Sequence, residues 1–263
     1  MGWQARLNRK RHSLPPDEWQ CIWCDRSPPD VKFERREHVI PESLGGERDF
    51  RLLRGLVCDS CNAGVLKQID DELNLHPLIR GLRFTFGLGT PFRELVPGMR
   101  REGDVMTLSP GLIRNGDRLE LKLVRGGGGT VTMQTGGPSD MTKPEHLARG
   151  LHRMAYNAIA HAHGAARARE YGHLREYVLT GHESMRAYLL DERSLNESVA
   201  RTHERWTASY ELLPQGGDDR RPDVAFLRLG MLFFYVSLEP TTAPLVAVQR
   251  RFSWLRVAGE IDR

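Results

Sequence analysis

The chain has 263 residues, enough for one large or two small domains, and 40% of them are apolar, which supports an ordinary packed core. Lys plus Arg exceed Asp plus Glu by 38 to 34, and the pI is near 9.0; this permits a polyanionic partner without requiring one. No apolar run approaches the ~20 residues that span a bilayer, since Val224 to Leu238 is interrupted by Arg228, and the basic N-terminus lacks the apolar core of a signal peptide; a membrane role is excluded and a cytoplasmic location is expected.

In chain order, residues 1–20 read as a basic arm ending in Pro15-Pro16, either a tail or a DNA-contacting arm. Residues 21–83 form a Cys-rich unit. Within it, Val31–Phe33 and Arg36–Ile40 are expected as short strands, the second stopped by Pro41, which cannot donate to a ladder. A loop opens at Gly45-Gly46, and a strand over Gly55–Cys58 leads into a helix capped by Asp59 or Ser60, with Val65, Leu66, Ile69 and Leu73 at helical spacing. A short helix after Pro77 turns Leu78, Ile79 and Leu82 inward. Residues 84–140 read as a β-rich connection. Arg118 to Val124 alternates polar and apolar, Gly126–Gly129 turns, and Thr130–Met133 returns, which predicts a hairpin; the glycine run lies between strands and is not read as a phosphate cradle.

Residues 141–263 read as an α+β region of unassigned role. Thr142 caps a helix with Glu145 three residues on, and Leu147, Leu151, Met154, Ala155, Ala158 and Ala162 make one apolar stripe that ends by Gly164. Most of His146, His152, His161 and His163 flank that stripe, and they are not read as metal ligands. A further helix covers about residues 165–179 and stops near Gly181. Val224–Leu238 and Leu245–Phe252 close the domain as strands.

All four cysteines fall in two Cys-x-x-Cys pairs, Cys21/Cys24 and Cys58/Cys61. In a reducing compartment that pattern favours a metal over disulfides, and four thiolates suit tetrahedral Zn²⁺. A closed four-thiolate site leaves no open position, so this zinc is expected to be structural. Between the pairs lies Glu37-His38, and Asn62 follows Cys61 at the start of a helix, whose N-terminus favours an anion. A carboxylate and an amide oxygen are hard ligands suited to Mg²⁺ or Mn²⁺, and the imidazole is then free to deprotonate water for attack on phosphorus. Asp70 and Asp71, further along the helix, are read as a solvated face, with an additional ligand as the alternative.

Together, Cys21-x-x-Cys24, Glu37-His38-Val39-Ile40-Pro41, Gly45-Gly46 and Cys58-x-x-Cys61-Asn62 resemble the four-cysteine, zinc-containing HNH endonucleases over roughly residues 18–75. The resemblance implies a ββα-metal finger followed by a mixed region, an α+β protein overall. It implies His38 as general base, with Glu37 and Asn62 as catalytic residues holding the divalent ion. Two departures stand out. Glu37 occupies a position more often Asp, and the family's middle Asn has no counterpart among residues 49–54.

The resemblance implies a hydrolase of DNA, most simply double-stranded, leaving 5′ phosphate and 3′ hydroxyl ends. The finger helix would then lie near the minor groove, and Arg35, Arg36, Arg48, Arg51, Arg54 and Lys67 would contact phosphates without reading sequence. Two alternatives stay open: a zinc-stabilised module that binds nucleic acid or protein without catalysis, and an RNA nuclease. The C-terminal region is left as a target-choosing element, or as a surface for a protein partner or a second copy. A segment resembling His152 to Asn157 also occurs in the C-terminal part of bacterial HNH proteins, with no activity attached to it.

Overall fold

The computed structural model describes residues 13–46, 50–76, 78–80, 83, 88, 99–103, 105–108, 113–114, 117–124, 129–135, 144–182, 185–192, 208–214, 222–230, 232–240 and 255–261. Arg48, Leu82, the first residues of the glycine turn, Thr142, the segment Leu245–Phe252 and most of the basic arm lie outside these residues. Among the described residues no helix is long and apolar enough to cross a membrane.

The Cys-rich unit is built mostly from turns. After the 3-10 turn Pro16–Glu18, the chain makes a tight knuckle at Cys21, closed by Asp25 N–H to the Cys21 carbonyl at 2.9 Å. The Cys58 end opens a short helix α1 (Asp59–Cys61), which continues through a π-helical turn (Asn62–Leu66) into α2 (Lys67–Leu75). The continuation is bent at Gly64, whose φ/ψ of −99/−109 is non-helical.

The three short strands expected here do not form. The pairing reduces to one antiparallel bridge, His38 with Arg51, flanked by Val39 N–H to Phe50 O and Leu52 N–H to Glu37 O, each at 2.8 Å. The reason lies in side chains that take the carbonyls a ladder would use. Arg36 Nε donates to Leu52 O at 3.0 Å, and Arg54 donates to Phe33 O at 2.7 Å and Glu34 O at 3.1 Å. Asp59 in turn accepts from the Glu34 and Arg35 amides, so the loop is clamped from both ends. Residues 13–20 join this unit: Leu14 N–H reaches Arg54 O at 2.9 Å, and Trp19 packs with tilted rings at 5.6 Å against Phe33. Trp19 also explains Gly55, where φ is +100° and a Cβ would lie 2.4 Å from the indole.

Strands β1 (Met99–Glu102), β2 (Val105–Leu108), β3 (Ile113–Arg114), β4 (Asp117–Val124) and β5 (Gly129–Thr135) form an antiparallel sheet. The expected hairpin is β4–β5, with Leu121 opposite Val131. Helix α3 (Pro144–His163) begins at Pro144, where fixed φ suits the first helical position, and stops at Gly164 with φ +88. The following helix is broken in two, α4 (Ala165–Arg169) and α5 (Gly172–Thr180), because Tyr171 leaves the helical region at φ −100, ψ 47; Gly181 closes α5 in the left-handed conformation.

A second antiparallel sheet follows in the order β10-β6-β9-β8-β7, from β6 (Ala187–Glu192), β7 (Ala208–Leu213), β8 (Val224–Leu229), β9 (Leu232–Ser237) and β10 (Leu255–Ile261). The expected run 224–238 is thus the β8–β9 hairpin, turned at Gly230 with φ +62. Its alternate residues serve two faces. Ala225, Leu227, Leu232, Phe234 and Val236 join the core cluster that also contains α3 and the Cys-rich unit, and Val224, Phe226, Phe233 and Tyr235 form a second cluster with Tyr188 and Leu190.

Helix α3 is the shared element. The apolar stripe predicted one buried face, but every residue from Leu151 to Ala160 is buried. Sheet and α5 cover the side that carries His152, and the Cys-rich unit covers the side that carries Arg153, Tyr156 and Asn157. The seam between α2 and α3 is tight at Gly150, where a Cβ would lie 2.7 Å from Leu73 Cδ1.

Candidate metal centre and catalytic site

The four cysteine Sγ atoms all lie within 4.8 Å of one another, with Cys24 and Cys58 at 3.7 Å. A zinc tetrahedron with ~2.3 Å bonds separates its sulfurs by about 3.8 Å, so the cluster fits a structural zinc. The backbone is already arranged for thiolates: Cys58 N–H points to Cys21 Sγ at 3.4 Å and Cys61 N–H to Cys58 Sγ at 3.5 Å. The hydrogen bond from Cys61 holds Cys21 down to about 5, whereas burial pushes Cys58 up to about 11, and the bond to Cys21 pushes Cys61 up. A divalent cation is the natural counter-charge for four thiolates so placed. Among the described residues this is the one such cluster, and the α3 histidines do not form a second: His152 is bonded to Ala148 O at 2.7 Å, His146 faces Glu72, and His161 meets the Tyr210 hydroxyl at 2.6 Å.

The candidate catalytic residues are spread over two faces of the bridge. His38 is half-buried, and its Nε2 accepts from Arg51 Nε at 2.8 Å, with Glu42 at 3.7 Å. Burial lowers the His38 pKa; Glu42 opposes this, and Arg51 and Arg36 reinforce it. The imidazole is therefore neutral, with its proton on Nδ1. Glu37 points the opposite way, as adjacent residues of an extended segment do, and is 5% exposed. Its Oε1 receives Arg153 Nη2 and, at 3.5 Å, Asn157 Nδ2. The same Arg153 Nη2 meets Asp70 Oδ2 at 3.2 Å, and its Nη1 reaches Val39 O at 3.3 Å. One guanidinium thus faces two carboxyl groups; burial, with Asp71 adding like charge, raises the Asp70 carboxyl, and the Arg153 cation 3.2 Å away opposes this. Asn62 sits between α1 and the π turn, partly exposed; its side-chain amide makes no hydrogen bond to Glu37 or His38.

The basic residues divide by what they touch. Arg36 and Arg54 are occupied in bracing backbone carbonyls, and Arg54 also lies 5.9 Å over the Trp19 ring. Arg35 and Lys67 are exposed, with Lys67 paired to Asp71, and Arg51 is shared between His38 and Glu42.

This geometry is accompanied by a family match. Residues 21–78 match the HNH endonuclease family. The matched segment runs from the first Cys-x-x-Cys pair to just past α2, so the HNH domain lies at the N-terminus with a mixed α+β region after it, and the match points to a nuclease or nucleic-acid-binding function. No curated protein and no solved structure matches the chain.

Arg153 and Asn157 lie outside the HNH segment, and the sequence reading did not single them out as site residues. The available signal was periodic. Arg149, Arg153, Asn157 and His161 repeat at i+4 on a helix whose other interior positions are mostly Ala, Leu, Met and Ile, which marks a polar ridge facing something polar. Asp70, read as a solvated position, belongs to the same cluster.

Proposed function

We propose that the protein is a metal-dependent endonuclease that hydrolyses DNA phosphodiester bonds, with His38 as the general base. The observation that carries this reading is the state of His38 inside the HNH segment: a half-buried imidazole kept neutral by burial and by two neighbouring arginines. Only the neutral ring accepts a proton, and the hydrogen bond from Arg51 fixes its tautomer.

The donor set also suits a hard divalent ion. Arg153 and Asn157 hydrogen-bond Glu37 at Oε1, and the Asn62 amide makes no hydrogen bond to Glu37 or His38; a divalent ion would have to compete with Arg153 for Glu37. Glu37 and Asn62 would hold Mg²⁺ or Mn²⁺, which when bound supplies polarisation of the phosphate and stabilisation of the leaving oxygen. His38 takes the proton of the attacking water. Arg51, already beside it, is placed to meet a non-bridging phosphate oxygen, and Arg35 and Lys67 offer exposed positive charge to the flanking backbone.

A second reading is a zinc-held binding module without catalysis, and the observation in its favour is that Glu37 lies under Arg153. Cleavage of supercoiled plasmid in Mg²⁺ or Mn²⁺ separates the two. The nuclease reading expects wild-type cutting that His38→Ala abolishes. Equal cutting by both proteins removes His38 as the base, and binding without any cutting supports the module. A parallel assay on single-stranded and duplex RNA decides the substrate sugar.

A further inference from the structure

We propose that Arg153 and Asn157 of α3 are positioning residues for the Glu37–His38 segment, so that the region beyond the HNH match completes the catalytic site; this rests on the nuclease reading above. The segment carrying His38 has little backbone pairing within its own unit. It has a single antiparallel bridge with two backbone hydrogen bonds, and Pro41 prevents extension. The missing support comes from α3. Asn157 Nδ2 donates to the His38 carbonyl at 3.0 Å, and Arg153 Nη1 donates to the Val39 carbonyl at 3.3 Å. Two consecutive carbonyls are thus tied to side chains one helical turn apart, while the same two side chains hold Glu37 Oε1.

The next turn of the ridge reaches the other side of the bridge. His161 bonds the Tyr210 hydroxyl at 2.6 Å, and Tyr210 packs at 5.9 Å on Phe50, the residue before Arg51. One helix face therefore braces both segments of the bridge, the one bearing the base and the one bearing its arginine. Stability alone is a poor explanation for this chemistry. Arg153 is 1% exposed, and a buried ion cluster is commonly no more stable than apolar side chains of the same volume. What the polar groups supply is direction, because a hydrogen bond fixes a carbonyl where a methyl group would let it shift.

The test uses the full-length, zinc-loaded chain and two variants, Asn157→Ala and Arg153→Lys. Plasmid cleavage in Mg²⁺ is resolved into kcat and KM, and amide hydrogen exchange is read at Val39 and Leu52, whose N–H groups form the bridge. The expected result is a fall in kcat of about 10- to 100-fold with KM within about twofold, zinc still at one per chain, and faster exchange at both amides. Wild-type kcat in Asn157→Ala overturns the proposal. So does loss of zinc and of helical signal in both variants, which would make the pair general fold supports. If the wild type cuts no nucleic acid with any divalent ion, the nuclease reading fails by itself. The exchange measurement still decides the positioning, and unchanged protection at Val39 and Leu52 refutes it.

Discussion

Arg51 donates through Nε to His38 Nε2 at 2.8 Å, so the atom that would take a proton is already covered by a cation. Arg51 is itself shared with Glu42 at 3.2 Å, which gives it an alternative partner when it leaves the imidazole. Two outcomes are expected of Arg51→Met. A hydrogen bond to a charged group is worth about 1.5–3 kcal/mol, so plasmid cleavage should fall about 10- to 100-fold. In ¹⁵N spectra of the wild type, His38 should be the tautomer protonated on Nδ1, and the variant should lose that preference. An active Arg51→Met protein with an unaltered His38 spectrum would remove Arg51 from the mechanism.

The zinc prediction depends on different atoms. Four sulfurs within 4.8 Å hold the knuckle at Cys21 against the start of α1, and Cys58 is the cap residue of that helix. Structural zinc in small fingers binds with about 10–16 kcal/mol of apparent free energy at neutral pH, more than most domains have in net stability. Purified protein should contain one zinc per chain. Cys58→Ser should lose it and unfold the HNH segment, as should treatment with a strong chelator. Protein that is metal-free by elemental analysis yet retains Val39 and Leu52 amide protection would refute a structural role.

How legible was this arrangement? The zinc cluster was, because a short-range pattern of four identical residues encodes it. The helix ends at Gly164 and Gly181 and the β4–β5 hairpin were legible for the same reason, since local turn chemistry and alternation set them, whereas the turn at Gly230 inside the apolar run 224–238 was not. The short strands around His38 were not, because Arg36 and Arg54 compete for their carbonyls from 16 and 21 residues away, which no periodicity reveals. The role of α3 was hidden more deeply. An apolar stripe tells where a helix buries oil but not that its polar side is buried too, and the Glu37–Arg153 pair spans 116 residues of sequence. Domain boundaries drawn at composition shifts likewise separated the HNH segment from the helix that packs against it.

The Glu37–Arg153–Asp70 cluster makes an ordering prediction for stability. Removing Arg153 leaves Glu37, 5% exposed, beside Asp70 with no cation. Breaking a buried pair in this way costs about 3–5 kcal/mol. Glu37→Gln is milder, because Arg153 keeps Asp70 at 3.2 Å. Urea unfolding of zinc-loaded protein should therefore rank wild type above Glu37→Gln and Glu37→Gln above Arg153→Met, with the double variant no worse than Arg153→Met alone. Equal midpoints for wild type and Arg153→Met would show that the cluster contributes nothing to the fold.

Acid sensitivity should come in large part from two buried histidines, His152 and His76. Burial lowers His152 to about 4 and His76 to about 3. In the unfolded chain both titrate near 6.5. Between these limits the unfolded state binds more protons, so stability rises with pH across this window. The contribution is fully present above about pH 6.5 and is lost as pH falls toward 4, by about 3 kcal/mol for His152 alone. Hydrophobic replacement keeps the packing and removes the proton site. His152→Leu should therefore flatten the decline in Tm between pH 6.5 and 4 relative to wild type. An unchanged slope in that variant would mean that His152 is already charged in the folded protein, contrary to its burial beneath the sheet.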